Sequence, residues 1–363
     1  MASIISGSLL VLVLPLLGKA HSLSNDFPNL YNLTELARDF PQVVLDEIKA
    51  SPLRAVAPVI SEPRAAAFST AGALPTVVAH GMGDSCWEPG MASITRGIGK
   101  KTSTYAKCVP TGDNIITDTI NGFLLNMDRS LDVFAAKIRA DSNLAGGFNA
   151  IGFSQGNSLI RGYIEKYNDP PVNAFISVHG TVMGVAAFPS CFEQGKPLGL
   201  ICKALAEVLG DLAYLKIAQG ILFQADYYRD PVRVSSKAYL TNSQLAQWNN
   251  ENPATVNKTI VANFAKTSRF AMVKALEDSM VYPNEGEWWG AIKDGSYGLA
   301  LEMKATKFYA QDLFGIKTAD ATGKIAFEST PGDHLEFTDE QLYGWVEKYF
   351  LGTSSAAGIP VVV

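Results

Sequence analysis

The chain has 363 residues, 47% of them hydrophobic and 18% charged, which suits one compact globular domain with room for an inserted cap. Its formal net charge is −5 with no basic patch, which argues against nucleic acid as a partner. Beyond the N-terminal apolar run nothing reaches spanning length, so no stable membrane span is expected.

The run "SLLVLVLPLLG", Ser8 to Gly18, has the length of a signal-peptide core, and "KAHS" behind it suits cleavage near Ala20 or Ser22. Without a preceding Lys or Arg it could instead be a buried N-terminal helix. We read residues 1–22 as a signal peptide and 23–70, rich in Pro and Ala, as a leader, arm or pro-segment. The destination is then the secretory pathway, ending in a lysosome or vacuole or outside the cell. Four cysteines fit an oxidising compartment and allow three pairings. Cys191 and Cys202 flank "CFEQGKPLGLIC" and are expected to be bridged, while Cys86 with Cys108 is the pair that remains and is left open. Sequons at Asn32 and Asn257 are candidate glycan sites on that route. No Cys/His cluster suggests a metal, and no cofactor is expected.

From residue 74 the pattern changes. "LPTVVAHG" and "TYAKCVPTG" read as strands, "GFLLNMDRSLDVFAAKIRAD" as a helix, "GFNAIGF" as a buried strand, "GNSLIRGYIEKY" as a helix and "VNAFISVHG" as a strand. Such alternation predicts a mostly parallel sheet with helices on both faces. Helical patterns over 185–255, among them "LICKALAEVLGDLAYLKIAQGILFQ", interrupt it and read as a cap. "RFAMVKALEDSMV" and "KIAFEST" resume strand character, and residues 353–363 form a tail.

Gly152-Phe153-Ser154-Gln155-Gly156 is a G-x-S-x-G motif placed after a strand and before a helix. A sharp turn there lifts the serine hydroxyl out of the sheet, and the helix N-terminus behind it favours developing negative charge. An ordinary N-capping serine would need no partners; a nucleophile needs a base and an orienting acid. Of four histidines only His179 and His334 follow Ser154, and the order Ser, acid, His leaves His334 as the base because no later strand precedes His179. Asp278, at a strand end before a Pro-marked turn, is the favoured acid, with adjacent Glu277 as competitor. Asp333 is too near His334 in sequence, and Asp230 falls in the insertion. "VVAHGMGDSCW" ends a strand in His-Gly, where this fold takes its second oxyanion N–H, so Met82 and Gln155 are the expected donors.

These stretches, with "HGMGDSC", "GGFNAIGFSQGNSLIRGYI", "ISVHGTVMGV", "QADYYRDP", "FAMVKALEDSMVYPNEGEWWG" and "GDHLEF", resemble the palmitoyl-protein thioesterases, lysosomal α/β-hydrolases, from about Pro75 to Leu351. The resemblance implies an α/β-hydrolase domain over 71–352 that cleaves long-chain acyl thioesters of S-acylated proteins or peptides, as a monomer, with Ser154, Asp278 and His334 as its triad. It supports the Cys191–Cys202 bridge but not Cys86–Cys108, and the leader and tail have no counterpart in it. A lipase or carboxylesterase acting on oxygen esters would use the same triad, and an acyl-binding protein would leave it idle.

Overall fold

The computed structural model describes residues 73–187 and 213–352. Strands β1 (Thr76–Ala79), β2 (Ala106–Cys108), β3 (Phe148–Phe153), β4 (Val172–Val178), β5 (Arg269–Ala275) and β8 (Ile325–Thr330) form one sheet in the order β2-β1-β3-β4-β5-β8. Every neighbouring pair is parallel. Two short strands, β6 (Ala291–Ile292) and β7 (Ala300–Leu301), make a separate antiparallel ribbon. The expected alternation is therefore present, and the architecture is that of the α/β-hydrolases.

Both faces of the sheet are covered, as a parallel sheet requires. Successive strand residues point to opposite sides, and the two cores divide accordingly. Val77, Ala150, Phe175 and Phe270 belong to one core and Val78, Ile151, Ile176 and Ala271 to the other. Helices α1 (Pro89–Thr102) and α12 (Asp339–Phe350) contribute Ile98, Trp345 and Val346 to the second face. On the first lie α2 (Ile115–Leu124), α3 (Met127–Arg139), α4 (Gly156–Lys166) and α9 (Lys258–Lys266). Among the described residues no helix is long and apolar enough to cross a membrane.

The run read as one helix from Gly122 onward is two. The chain breaks after Leu124, and Asn126 caps α3 by accepting the Arg129 N–H at 3.1 Å. The break is anchored from outside: the Met127 N–H donates to the buried Asp226 carboxylate at 2.7 Å and Asn126 donates to the Gln219 carbonyl at 2.9 Å. Both partners belong to the insertion.

In the described part of that insertion the helices are short: α5 (Lys216–Gln219), α6 (Phe223–Tyr227), α7 (Lys237–Asn242) and α8 (Gln244–Trp248). Gln219 ends the first by donating from Nε2 to the carbonyls of Ala213 and Ala225, both at 2.7 Å, which folds the backbone around the amide. Two small helices beyond the ribbon, α10 (Lys307–Ala310) and α11 (Ile316–Ala321), complete the fold. The signal peptide, the leader with Asn32, the cap segment with Cys191 and Cys202, and the tail lie outside the described residues.

Candidate active site

β3 is the third of six strands, and the chain leaves its carboxyl end through two residues, Ser154 and the N-capping Gln155, into α4. Ser154 has φ +52°, the left-handed region that L-residues other than glycine, asparagine and aspartate seldom adopt. The flanking glycines are required by close approach. A Cβ on Gly156 would lie 2.5 Å from the carbonyl oxygens of both Ala79 and His80, and one on Gly152 would lie 2.4 Å from Asn157 Oδ1. Asn157 also secures the turn, donating from Nδ2 to the carbonyls of Ser154 and Val178 at 3.0 and 2.9 Å.

The expected acid and base arrive from the carboxyl ends of β5 and β8. His334 Nε2 lies 2.9 Å from Ser154 Oγ, and its Nδ1 lies 2.6 Å from Asp278 Oδ2. The other Asp278 oxygen accepts the N–H groups of Met280 and Val281 at 2.7 and 2.6 Å. Burial opposes ionisation of Asp278, but the hydrogen bonds with His334 and Glu287 outweigh it and hold the carboxyl at about 2. The competitor Glu277 is exposed, and Asp230 is engaged in the cap with Tyr297 and Arg233. Asp333 braces the two loops instead: it accepts the His334 N–H at 2.6 Å and the Ser279 N–H and hydroxyl at 2.7 and 2.8 Å.

Glu287 was not foreseen. It is fully buried, accepts the Ala275 N–H at 2.8 Å, and hydrogen-bonds Asp278. Two carboxyl groups can share a hydrogen bond only through a proton. Burial, with Asp278 beside it, pushes Glu287 well above the usual carboxylate range, so the proton resides on Glu287 and Asp278 keeps the charge.

Above the serine, the loop after β1 brings Gly81 so near that a Cβ there would meet Ser154 Cβ at 3.2 Å. The amide N–H groups of Met82 and Gln155 have no hydrogen-bond acceptor among the described residues. This loop is anchored by His80, whose Nε2 lies 3.1 Å from Asp118 Oδ2. Asp118 also accepts the Ser85 hydroxyl and the N–H groups of Cys86, Thr111 and Gly112. Gln155 is clamped from the cap: Gln224 Nε2 and the Tyr227 hydroxyl donate to its Oε1 at 2.8 and 3.2 Å, and its own Nε2 donates to Gly122 O at 2.7 Å.

Cys86 and Cys108 form a disulfide that ties the loop after β1 to β2, so the pair left open by the sequence is joined. Among the described residues two groups place metal-ligating atoms together: His80, Cys86 and Asp118, and His179, Asp278 and His334. The first has its sulfur in the disulfide, and in the second the nitrogens are engaged with Ser154, Thr330 and Leu335. Asn257 is exposed at the N-cap of α9, where its Oδ1 takes the Thr259 N–H at 2.9 Å.

A family model described as palmitoyl protein thioesterase matches residues 75–334. The chain is 33% identical over 282 residues to palmitoyl-protein thioesterase 1 of Caenorhabditis elegans, spanning 77% of this chain and 92% of that protein. It is 30% identical over 279 residues to palmitoyl-protein thioesterase 3 of Dictyostelium discoideum, spanning 76% and 89% of the two chains. It is 28% identical over 207 residues to lysosomal thioesterase PPT2-B of Xenopus laevis, spanning 56% and 68%. With its serine turn at the end of β3 and a family match over most of its length, this chain belongs to the palmitoyl protein thioesterase family.

Proposed function

We propose that this chain hydrolyses long-chain acyl thioesters of cysteine, palmitoyl foremost, with Ser154 as nucleophile, His334 as base, Asp278 as the orienting acid, and the Met82 and Gln155 N–H groups as the oxyanion hole. The observation that carries this reading is the continuous hydrogen-bond chain from Asp278 through His334 to Ser154. His334 takes the Ser154 proton as Oγ attacks the thioester carbonyl. The tetrahedral oxyanion rests on the two amides. Collapse expels the cysteine thiolate, which takes the proton back from His334. Water, deprotonated by the same imidazole, then releases the fatty acid and restores Ser154.

The substrates on this reading are S-acylated proteins or peptides, and the enzyme acts as a monomer in the secretory pathway or lysosome. A relative named as a lysosomal thioesterase supports that destination. The free geometry at Asn257 supports glycosylation there, since the cap uses Oδ1 and a glycan bonds Nδ2. The bridge between Cys191 and Cys202 belongs to the same reading.

The test compares palmitoyl-cysteine thioesters with matched oxygen esters, alongside Ser154→Ala. The thioester should be the better substrate and Ser154→Ala should be inactive while folded. Each methylene withdrawn from water contributes about 0.8 kcal/mol, so kcat/KM should rise steeply from acetyl to myristoyl thioesters. Equal rates on acetyl and palmitoyl thioesters, or a preference for oxygen esters, would make the protein a short-chain esterase or a lipase instead.

A further inference from the structure

His179 immediately follows β4, is fully buried, and has φ +47°. Its Nδ1 lies 2.8 Å from the backbone nitrogen of Leu335. A backbone N–H can only donate, so Nδ1 is the unprotonated nitrogen. The ring proton is therefore on Nε2, which donates to Thr330 Oγ1 at 3.0 Å. Thr330 is the last residue of β8, and Leu335 is the residue after His334, itself at φ +59°. One imidazole thus holds both ends of the loop that carries His334. The two rings stand 6.0 Å apart, centroid to centroid, and His179 makes no contact with Ser154 Oγ of the kind His334 makes.

We propose that His179 is a positioning residue for the reaction: a neutral imidazole that fixes the 330–335 loop so that His334 Nε2 faces Ser154. The proposal rests on the triad reading above. Its geometry specifies one tautomer and one protonation state. Protonating Nδ1 removes the acceptor for Leu335 and places a second positive charge beside His334. Burial, and then the nearby His334, hold His179 down at about 4, against the opposing pull of Asp278 and Asp333. The titratable groups acting on it are those three. The loop therefore keeps its anchor through mildly acidic pH and loses it below about 4.

Two substitutions separate the two hydrogen bonds. His179→Asn puts an acceptor oxygen where Nδ1 was and tolerates positive φ. His179→Gln reaches the Nε2 position but leaves Leu335 without an acceptor. The Gln variant should lose kcat on the order of 10²-fold, the effect of about 1 Å of misplacement, with KM within about threefold. The Asn variant should keep kcat within a few-fold. The wild-type rate should show an acid fall near pH 4 that the Asn variant lacks. Gln and Asn variants with wild-type kcat and an unchanged acid fall would overturn the proposal. So would equal losses in both variants tracking a lowered Tm, which is the signature of packing alone. Ser154→Ala is the companion control: activity retained there sinks the triad, whereas an inactive Ser154→Ala with an unaffected His179→Gln sinks only the role of His179.

Discussion

His80 and Asp118 form a buried ion pair, 3.1 Å between Nε2 and Oδ2, at the base of the loop that carries Met82. Burial disfavours charge on each partner, and their hydrogen bond and mutual attraction outweigh it. His80 is raised above its ordinary 6.5 and Asp118 held below its ordinary 3.8. The stability from Asp118 is present above about 3.8 and lost as pH falls through its lower folded value. That from His80 is complete below about 6.5 and lost as pH rises through its higher folded value. The pair thus contributes most between about pH 4 and 6.5. Asp118→Asn should cost about 3–5 kcal/mol near pH 5, because it strands a buried imidazolium. The deficit should shrink as pH rises and His80 sheds its proton. Thermal denaturation from pH 4 to 9 reads this directly, and a pH-independent deficit would mean the pair is not ionised.

The second prediction concerns the charge on the proposed triad acid. Asp278→Asn should lower kcat on the order of 10⁴-fold, since the amide presents the wrong partner to His334 Nδ1. Glu277→Gln should be near neutral, the side chain being exposed. Behind Asp278, Glu287→Gln keeps a neutral donor and should leave kcat within about threefold. Glu287→Leu removes the donor to a carboxylate, a bond worth about 1.5–3 kcal/mol, and should reduce kcat by roughly tenfold or more. Steady-state kinetics of the four variants decide it; a Leu variant as active as the Gln variant would show that Asp278 needs no support from Glu287.

The disulfide prediction is covalent. Cys86 and Cys108 close a loop with a sequence separation of 22, which on the chain-entropy account stabilises by roughly 3 kcal/mol. A Cys86→Ser, Cys108→Ser double variant should show a lower Tm and a loosened oxyanion loop, seen as slower acylation by a fluorophosphonate. A non-reducing peptide map of the wild type should recover the Cys86–Cys108 peptide and, on the proposed pairing, the Cys191–Cys202 peptide. Alkylation of either cap cysteine would remove the second bridge.

What could be read in advance follows from how local each signal is. The G-x-S-x-G turn is legible because its cause is local: Gly156 lies against the β1 backbone and Ser154 takes a left-handed φ. Chain order then leads to Asp278 and His334. Glu287, Asp118 and Asp333 carry no such mark. Glu287 lies in a Trp-rich turn nine residues past Asp278 and meets it only because the chain doubles back under β5. The His80–Asp118 pair joins a strand end to a helix 38 positions away, 118 − 80, without a pattern between them. The place of His179 in the chain argues against it as the base but says nothing of its hydrogen bonds to Thr330 and Leu335. The break before α3 had a local signal in the capping Asn126, but the apolar spacing ran through it, and the groups that stabilise the break, Asp226 and Gln219, are about a hundred positions on.

The last prediction couples the cap to the oxyanion site. Gln155 supplies an N–H to the proposed oxyanion hole, and its side chain is the link between α4 and the insertion, receiving hydrogen bonds from Gln224 and Tyr227 and donating to Gly122. Gln224 donates to Gly122 as well, at 2.7 Å, so two amides and one carbonyl lock the loop after Ser154 to α2 and α6. These groups are buried, where an unmade hydrogen bond costs about 1–3 kcal/mol. Loosening the clamp should act on the transition state, because the amide bears charge only when the oxyanion forms. Tyr227→Phe removes one donor with little change of volume and should lower kcat several-fold. Gln224→Leu removes two hydrogen bonds and should lower it by roughly tenfold or more. In both, KM should stay within about threefold, since the clamp acts on the amide that faces the oxyanion. Pre-steady-state acylation and deacylation should slow together, as both pass through an oxyanion. If KM rises while kcat holds, the clamp shapes the substrate site and has no part in stabilising the intermediate.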